Sequence, residues 1–437
     1  MDNSNRKSYL LGLLTGCIIA AFIFCVVLIV KVITGGPVSE GSSRGNHVPT
    51  VTSKPTQAAS ADPTGGEAAP TEAVSADDGY VLDDPRVMNK MDYLENLIDK
   101  EYIQSVSNDR LEEGIYDGMM DALDDPYADY YTPEEWIAMQ QSTQGIYYGI
   151  GAYLSKDTET LYPRITGVIT GTPAEEAGLL EDDYIMEVAG EDVYDQDLEE
   201  VVSKIKGPEG TTVELRIIRG KDAGNREDLT FTVERRKVET PTVKYEKKDN
   251  GIAYIAISEF DVVTINQFAE ALAEARADNM ESLIIDLRSN PGGSLKAAVE
   301  IGNMLLPAGN VVYTEDKYGN RTEYTSDGKH ELDVPLVVLI NKNSASASEI
   351  LAGAIKDYKK GTLMGTTTFG KGIVQQLFSL SDGSAVKLTV SHYYTPNGND
   401  IHKVGIKPDV EVKFDSEAYL KDGSDNQLDA AIEYLSK

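Results

Sequence analysis

One stretch, residues 334–380, restricts what this chain can fold into. Val337-Val338-Leu339-Ile340, held between Pro335 and Asn341, is apolar and rich in β-branched side chains. Such a run between turn residues predicts a buried strand. Soon after it, Ile350, Leu351, Ala354, Ile355 and Tyr358 recur at helical spacing, which predicts a helix with one apolar face. Strand therefore passes to helix among three serines, Ser344, Ser346 and Ser348. The same alternation precedes it, with strands expected at 252–257 and 282–287 and helices at 265–277 and 295–306. A run of strands and helices in turn predicts a layered α/β domain over 239–415.

Chemistry at the strand-to-helix turn has two readings. Ser346 and Glu349 have capping-box spacing, which alone accounts for a serine there. The same hydroxyl would also stand at the positive end of a helix dipole, where backbone N–H groups can receive an oxyanion. A serine nucleophile needs a base. His47 falls in a low-complexity stretch, and His330, His392 and His402 share no motif. Lys371, between Gly370 and Gly372, can serve if a dry site keeps its amine neutral, with Phe369 and the helix after Ser346 as walls. If extended chain starts at Lys371, then Lys371, Ile373 and Gln375 share a face, so Gln375 can orient the amine while Gln376 points away. A solvated loop lysine and an edge-strand glutamine are the plainer alternative. Asp286-Leu287-Arg288-Ser289-Asn290-Pro291-Gly292-Gly293 sits where another strand gives way to a helix, and its Pro-Gly-Gly turn bares backbone N–H groups.

The block NSASASEILAGAIKDYKKGTLMGTTTFGKGIVQQ closely resembles the active-site region of the carboxyl-terminal processing (tail-specific) peptidases, whose serine precedes its lysine by 25 residues and whose glutamine follows 4 later; Ser346, Lys371 and Gln375 reproduce both intervals. The resemblance selects Ser346 over its two neighbours. It also implies an oxyanion hole from the N–H of Ala347 with the turn of Gly292 and Gly293. Tyr147-Tyr148-Gly149-Ile150-Gly151 with GTPAEEAGL at 171–179 resembles a PDZ domain of the bacterial protease type. Tyr148, Gly149, Ile150 and Gly151 would then hold a peptide's terminal carboxylate while the peptide adds as a strand. Expected strands of this part are 149–154, 164–169, 184–188, 213–219 and 229–234, with helices at 172–177 and 198–205.

Composition limits the partners and the cofactors. A formal charge of -32 repels phosphate backbones, which argues against nucleic acid. The two cysteines, Cys17 and Cys25, both lie in the first apolar segment, so the rest of the chain has no thiol for a disulfide or a metal site. Residues 10–30 carry no charge, follow Arg6 and Lys7 and precede Lys31, which predicts a single span with the short tail inside and the remainder exported. Leu14-Thr15-Gly16-Cys17 looks like a lipoprotein cleavage box, but apolar sequence continues beyond it, which favours an uncleaved anchor. The next stretch is rich in Ser, Thr, Pro, Ala and Gly and predicts a flexible tether. Met88, Met91, Leu94, Leu97 and Ile98, then Leu111, Ile115, Met119 and Leu123, fall at helix spacing, and Asp124-Asp125-Pro126-Tyr127 closes that region.

The expectation is a mixed α/β multidomain chain: tail and transmembrane helix at 1–33, linker at 34–80, helical cap at 81–141, PDZ domain at 142–238, an α/β (crotonase-like) serine protease core at 239–415 and a C-terminal helical segment at 416–437. The implied protein is a membrane-anchored extracytoplasmic Ser-Lys endopeptidase that needs no metal or other cofactor. It would act on protein or peptide substrates with free C-terminal tails, and its cap would pack subunits into a homo-oligomer or only cover the core. A rival Ser-x-x-Lys enzyme class would have to use Ser4 and Lys7, on the wrong side of the anchor, with Ser424-Asp425-Asn426 stranded in the C-terminal tail. The other alternative is an inactive, tethered PDZ scaffold.

Overall fold

A computed structural model describes residues 80–220 and 226–437. The span expected at 10–30 and nearly all of the linker expected at 34–80 lie outside the described residues. Among the described residues no helix is long and apolar enough to cross a membrane. Two units are distinguished, and the second begins at Asp117.

In the first unit, Pro85–Glu101 and the start of Asn108–Asp121 are helical, and neither helix has a buried residue. Asp84 caps the first of them through the Arg86 N–H, and Pro85 occupies the first turn, where its missing donor costs nothing.

The second unit is built on a six-stranded sheet in the order Val243–Lys247, Ile252–Ile257, Ser282–Asp286, Leu336–Ile340, Thr362–Gly365, Val410–Glu411. Its first pair is antiparallel and the rest are parallel. Ser282–Asp286 and Leu336–Ile340 are buried at every position because both faces are covered. On one face Leu283, Ile285, Val338 and Ile340 pack with Phe268 and Leu272 of helix Val262–Ala277, Ile301 of Leu295–Asn303 and Leu351 of Ala347–Asp357. On the other, Ile284, Val337 and Leu339 meet Leu428, Ala431 and Ile432 of helix Asn426–Leu435. Neighbours in sequence thus serve opposite cores, as the pleat requires.

A five-stranded antiparallel sheet flanks this layer, with Ala385–Tyr394 bonded to Asp129–Tyr131, Gly309–Asp316 and Ile373–Ser379. A third sheet, Ala152–Lys156, Pro163–Val168, Tyr184–Val188, Thr212–Arg219 and Glu227–Glu234, has its own core, which includes Val201 and Ile205 of helix Leu198–Ile205. It is joined to the rest by a ribbon of its incoming and outgoing strands, Ile146–Gly149 paired with Arg236–Glu239. The single strand expected at 149–154 is split at Ile150 and Gly151. Gly151 has φ 89, and a Cβ there would lie 2.3 Å from Thr172, so the chain turns where glycine alone fits.

Candidate active site

Three adjacent parallel strands end on one side of the central sheet, and each runs into a segment singled out in the sequence. Ser282–Asp286 leads to the Pro-Gly-Gly turn, Leu336–Ile340 to Ser346, and Thr362–Gly365 to Lys371. Open parallel sheets gather their sites beyond strand C-termini, where loops and helix N-termini converge.

Side chains fix these turns to one another. Asn290 donates to the Ile257 carbonyl (2.8 Å), and its own carbonyl accepts from the Ala345 N–H and the Ser348 hydroxyl (3.0 Å each). Ser344 donates to the Leu287 carbonyl at 2.7 Å, and Asn341 Oδ1 accepts from the Ser289 N–H at 3.0 Å. Ser344 and Ser348 are fully buried in these structural bonds, whereas Ser346 is partly exposed. Ser346 is the residue before helix Ala347–Asp357 and has φ 53 and ψ -113, a conformation rare for a non-glycine residue. Gly292 makes the close approach feasible, since a Cβ on it would lie 2.8 Å from the Ser346 Cβ and 2.9 Å from the Ala347 nitrogen.

Glu349 is fully buried and joins the two expected reacting residues. Its Oε2 accepts from the backbone N–H of Ser346 and of Lys371, both at 2.9 Å, so those nitrogens are separated by no more than two hydrogen bonds. Its Oε1 accepts from the Gly370 N–H (2.7 Å) and the Thr368 hydroxyl (2.6 Å). Burial pushes this carboxyl up, against the four bonds that favour its charged form. In the sequence Glu349 shows only as a helix cap; its link to Lys371 arises from tertiary structure.

Lys371 has its Nζ 4.2 Å from the ring centroid of Tyr127. Burial, helped by the like charge of Lys387, pulls the amine down to about 8, opposed by Asp125 and Glu349. Among the described residues no hydrogen bond joins this Nζ to the Ser346 hydroxyl. Tyr127 stands where Phe369 was expected as the wall, and Phe369 is itself 45% exposed.

Two expectations change in detail. Gln375 donates to Thr389 Oγ1 at 3.2 Å, and the ladder slips between Val374 and Gln375, so the alternation expected from Lys371 to Gln375 is interrupted by a bulge. Of the expected oxyanion donors, the Gly292 N–H is taken by Asn290 Oδ1 at 2.8 Å. The N–H groups of Gly293 and Ala347 find no acceptor among the described residues. His392 and His402 lie edge to face, with centroids 5.5 Å apart.

In the third sheet the carbonyls of Ile150 and Gly151 accept from Ala174 (2.8 Å) and Ile169 (2.9 Å). Their N–H groups have no acceptor among the described residues, and Tyr148 and Gly149 precede them on the ribbon.

Comparison with known proteins covers most of the chain. The model of peptidase family S41 matches residues 251–412, a PDZ domain model matches 164–219, and that of the activating protease CtpB N-terminal domain matches 52–135. A carboxyl-terminal-processing protease of Synechocystis is 38% identical over 73% of this chain and 75% of its own. A probable CtpA-like serine protease of Staphylococcus epidermidis is 35% identical over 74% of this chain, which spans only 65% of that relative. Among solved structures, the photosystem II D1 C-terminal processing protease is 31% identical, with TM-score 0.44 over 74% of this chain and 86% of that one.

Proposed function

The chain belongs to peptidase family S41 as a carboxyl-terminal-processing serine peptidase with a PDZ domain, and from that premise we propose that Ser346 is its nucleophile and Lys371 its general base. The observation that carries the assignment is the single Glu349 oxygen that accepts from both backbones, because it fixes the two residues beside one another.

In the proposed reaction neutral Lys371 takes the Ser346 proton as Oγ attacks the scissile carbonyl. The oxyanion is received by the N–H groups of Ala347 and Gly293, with Gly292 shaping the turn rather than donating. The protonated lysine then passes its proton to the leaving amine; water, deprotonated by the lysine, next attacks the ester carbonyl, and the lysine returns that proton to Ser346 Oγ as the carboxylic acid product leaves. Gln375 would reach the amine once Lys371 turns towards Ser346 beneath the Tyr127 ring. Apo catalytic sites commonly tighten in this way when substrate binds.

The N–H groups of Ile150 and Gly151, with Tyr148 and Gly149, form the proposed seat for a substrate's terminal carboxylate, and the tail pairs as a strand beside it. The anchor at 10–30 would leave the catalytic part extracytoplasmic at the cell membrane. Met88, Leu94 and Leu97 are each more than two-fifths exposed on helix Pro85–Glu101, and a second copy of the chain is their proposed cover.

The test is incubation of the full chain, held in a bilayer, with a peptide bearing an apolar free C-terminus. Ser346→Ala and Lys371→Ala are each expected to lower cleavage by at least ~10³-fold, since the pair acts as one unit. Binding without cleavage by the native chain would instead identify the inactive scaffold.

A further inference from the structure

We propose that Tyr127 is a positioning residue for this reaction: its ring roofs the Lys371 amine and keeps water from it, so the segment that precedes the PDZ domain completes the active site. The inference rests on Lys371 being the base.

Local bonding places the ring. The Asp125 carboxylate accepts from the Tyr127 N–H at 3.0 Å, and the Asp125 carbonyl accepts from the Ala128 N–H at 3.1 Å, which makes a tight turn. Strand Asp129–Tyr131 follows at once and pairs with Ala385–Tyr394 in the register Asp129↔Lys387 to Tyr131↔Ala385. The opposite edge of Ala385–Tyr394 carries Ile373–Ser379, the strand that begins just after Lys371. A common neighbour therefore fixes both the tyrosine turn and the lysine segment, and the ring comes to lie 4.2 Å from Nζ.

The charged groups around the amine come from three elements: Lys387 on the shared strand, Asp125 on the turn and Glu349 on the helix after Ser346. Lys387 is itself held by Asp129 at 3.3 Å and by the Tyr131 hydroxyl, so the same short strand also engages the second cation. An aromatic face attracts an ammonium, while loss of water disfavours it. Burial is the largest influence on this lysine and outweighs the attraction of the two carboxylates. Removing the ring readmits water, and the amine moves back towards an ordinary lysine.

The test is the pH dependence of kcat/KM for the full chain carrying Tyr127→Phe, Tyr127→Ala or Tyr127→Gln. The alanine variant is expected to raise the midpoint of the profile by about one unit, which is roughly tenfold less activity at pH 7 with recovery at high pH. Tyr127→Phe keeps the ring and is expected to restore the native midpoint. Should the alanine variant fail to fold, Tyr127→Gln fills similar space with a polar group and is expected to show the same upward shift. A loss equal at every pH, no loss at all, or a phenylalanine variant that behaves like alanine would overturn the proposal. Lys371→Ala separates the two levels: full activity there sinks the base assignment itself, whereas an inert Lys371→Ala beside an unshifted Tyr127→Ala sinks only the roof.

Discussion

Glu349→Ala would leave the N–H groups of Ser346, Gly370 and Lys371 and the Thr368 hydroxyl without their acceptor in a fully buried place. Each orphaned buried donor costs ~1–3 kcal/mol, so the variant is expected to lose at least about 3 kcal/mol in denaturant unfolding. Glu349→Gln keeps one oxygen and should lose less. Alongside this, the rate of the native chain should rise with pH through one ionisation near 8, because the base works only when deprotonated and Lys371 is pulled down to about 8. A flat profile across that range would contradict the assignment. At this scale local pattern alone left a helix cap at Ser346 and a loop lysine at Lys371 as open readings, and the family intervals supplied the proposed roles. The Tyr127 contact and the second role of Glu349 depend on contacts between remote segments that no periodicity encodes.

At the scale of elements, the site depends on three strands ending level with one another. Gly365 closes Thr362–Gly365 with φ 121, and a Cβ there would lie 2.0 Å from the Ile340 carbonyl oxygen, the last residue of the strand that leads to Ser346. Gly365→Ala must therefore push the lysine segment away from the serine segment. We expect it to cost at least ~2 kcal/mol, since strain in a glycine-only region adds to the clash, and to reduce peptide cleavage beyond what the lowered melting temperature explains. Calorimetry with a peptide assay well below that temperature checks this. The buried strands and the apolar helix faces were read correctly because burial on both sides writes continuous apolar runs. The expected strand from Gly149 into Leu154 is broken at Ile150 and Gly151, because the positive φ of Gly151 turns the chain out of the extended conformation. The bulge at Gln375 was hidden too, because register is set by the partner strand.

For the whole molecule, the PDZ part has its own hydrophobic core and is joined to the rest by a two-stranded ribbon. At the foot of that ribbon the Thr240 N–H donates to the Gly145 carbonyl at 2.8 Å. Gly145 packs so closely on Asp261 that a Cβ would lie 2.8 Å from the Asp261 Cβ. The preceding residue, Phe260, donates its N–H to Gly292 (2.8 Å) and accepts from Ser294 (2.6 Å), which continues the contact to the glycine turn beside Ser346. We expect a chain with residues 146–239 removed and Gly145 joined to Thr240 to fold, and to differ from the native chain in both rate and selectivity for tailed peptides. Unaltered rate and selectivity would show that peptide capture does not govern cleavage.

The foot of the ribbon also has an engineering meaning. Because the chain leaves the catalytic body and comes back to it at almost the same point, that point acts as a socket. A foreign module whose own ends lie one strand pair apart could be plugged in there, and the hydrolytic machinery would then answer to a different molecular cue.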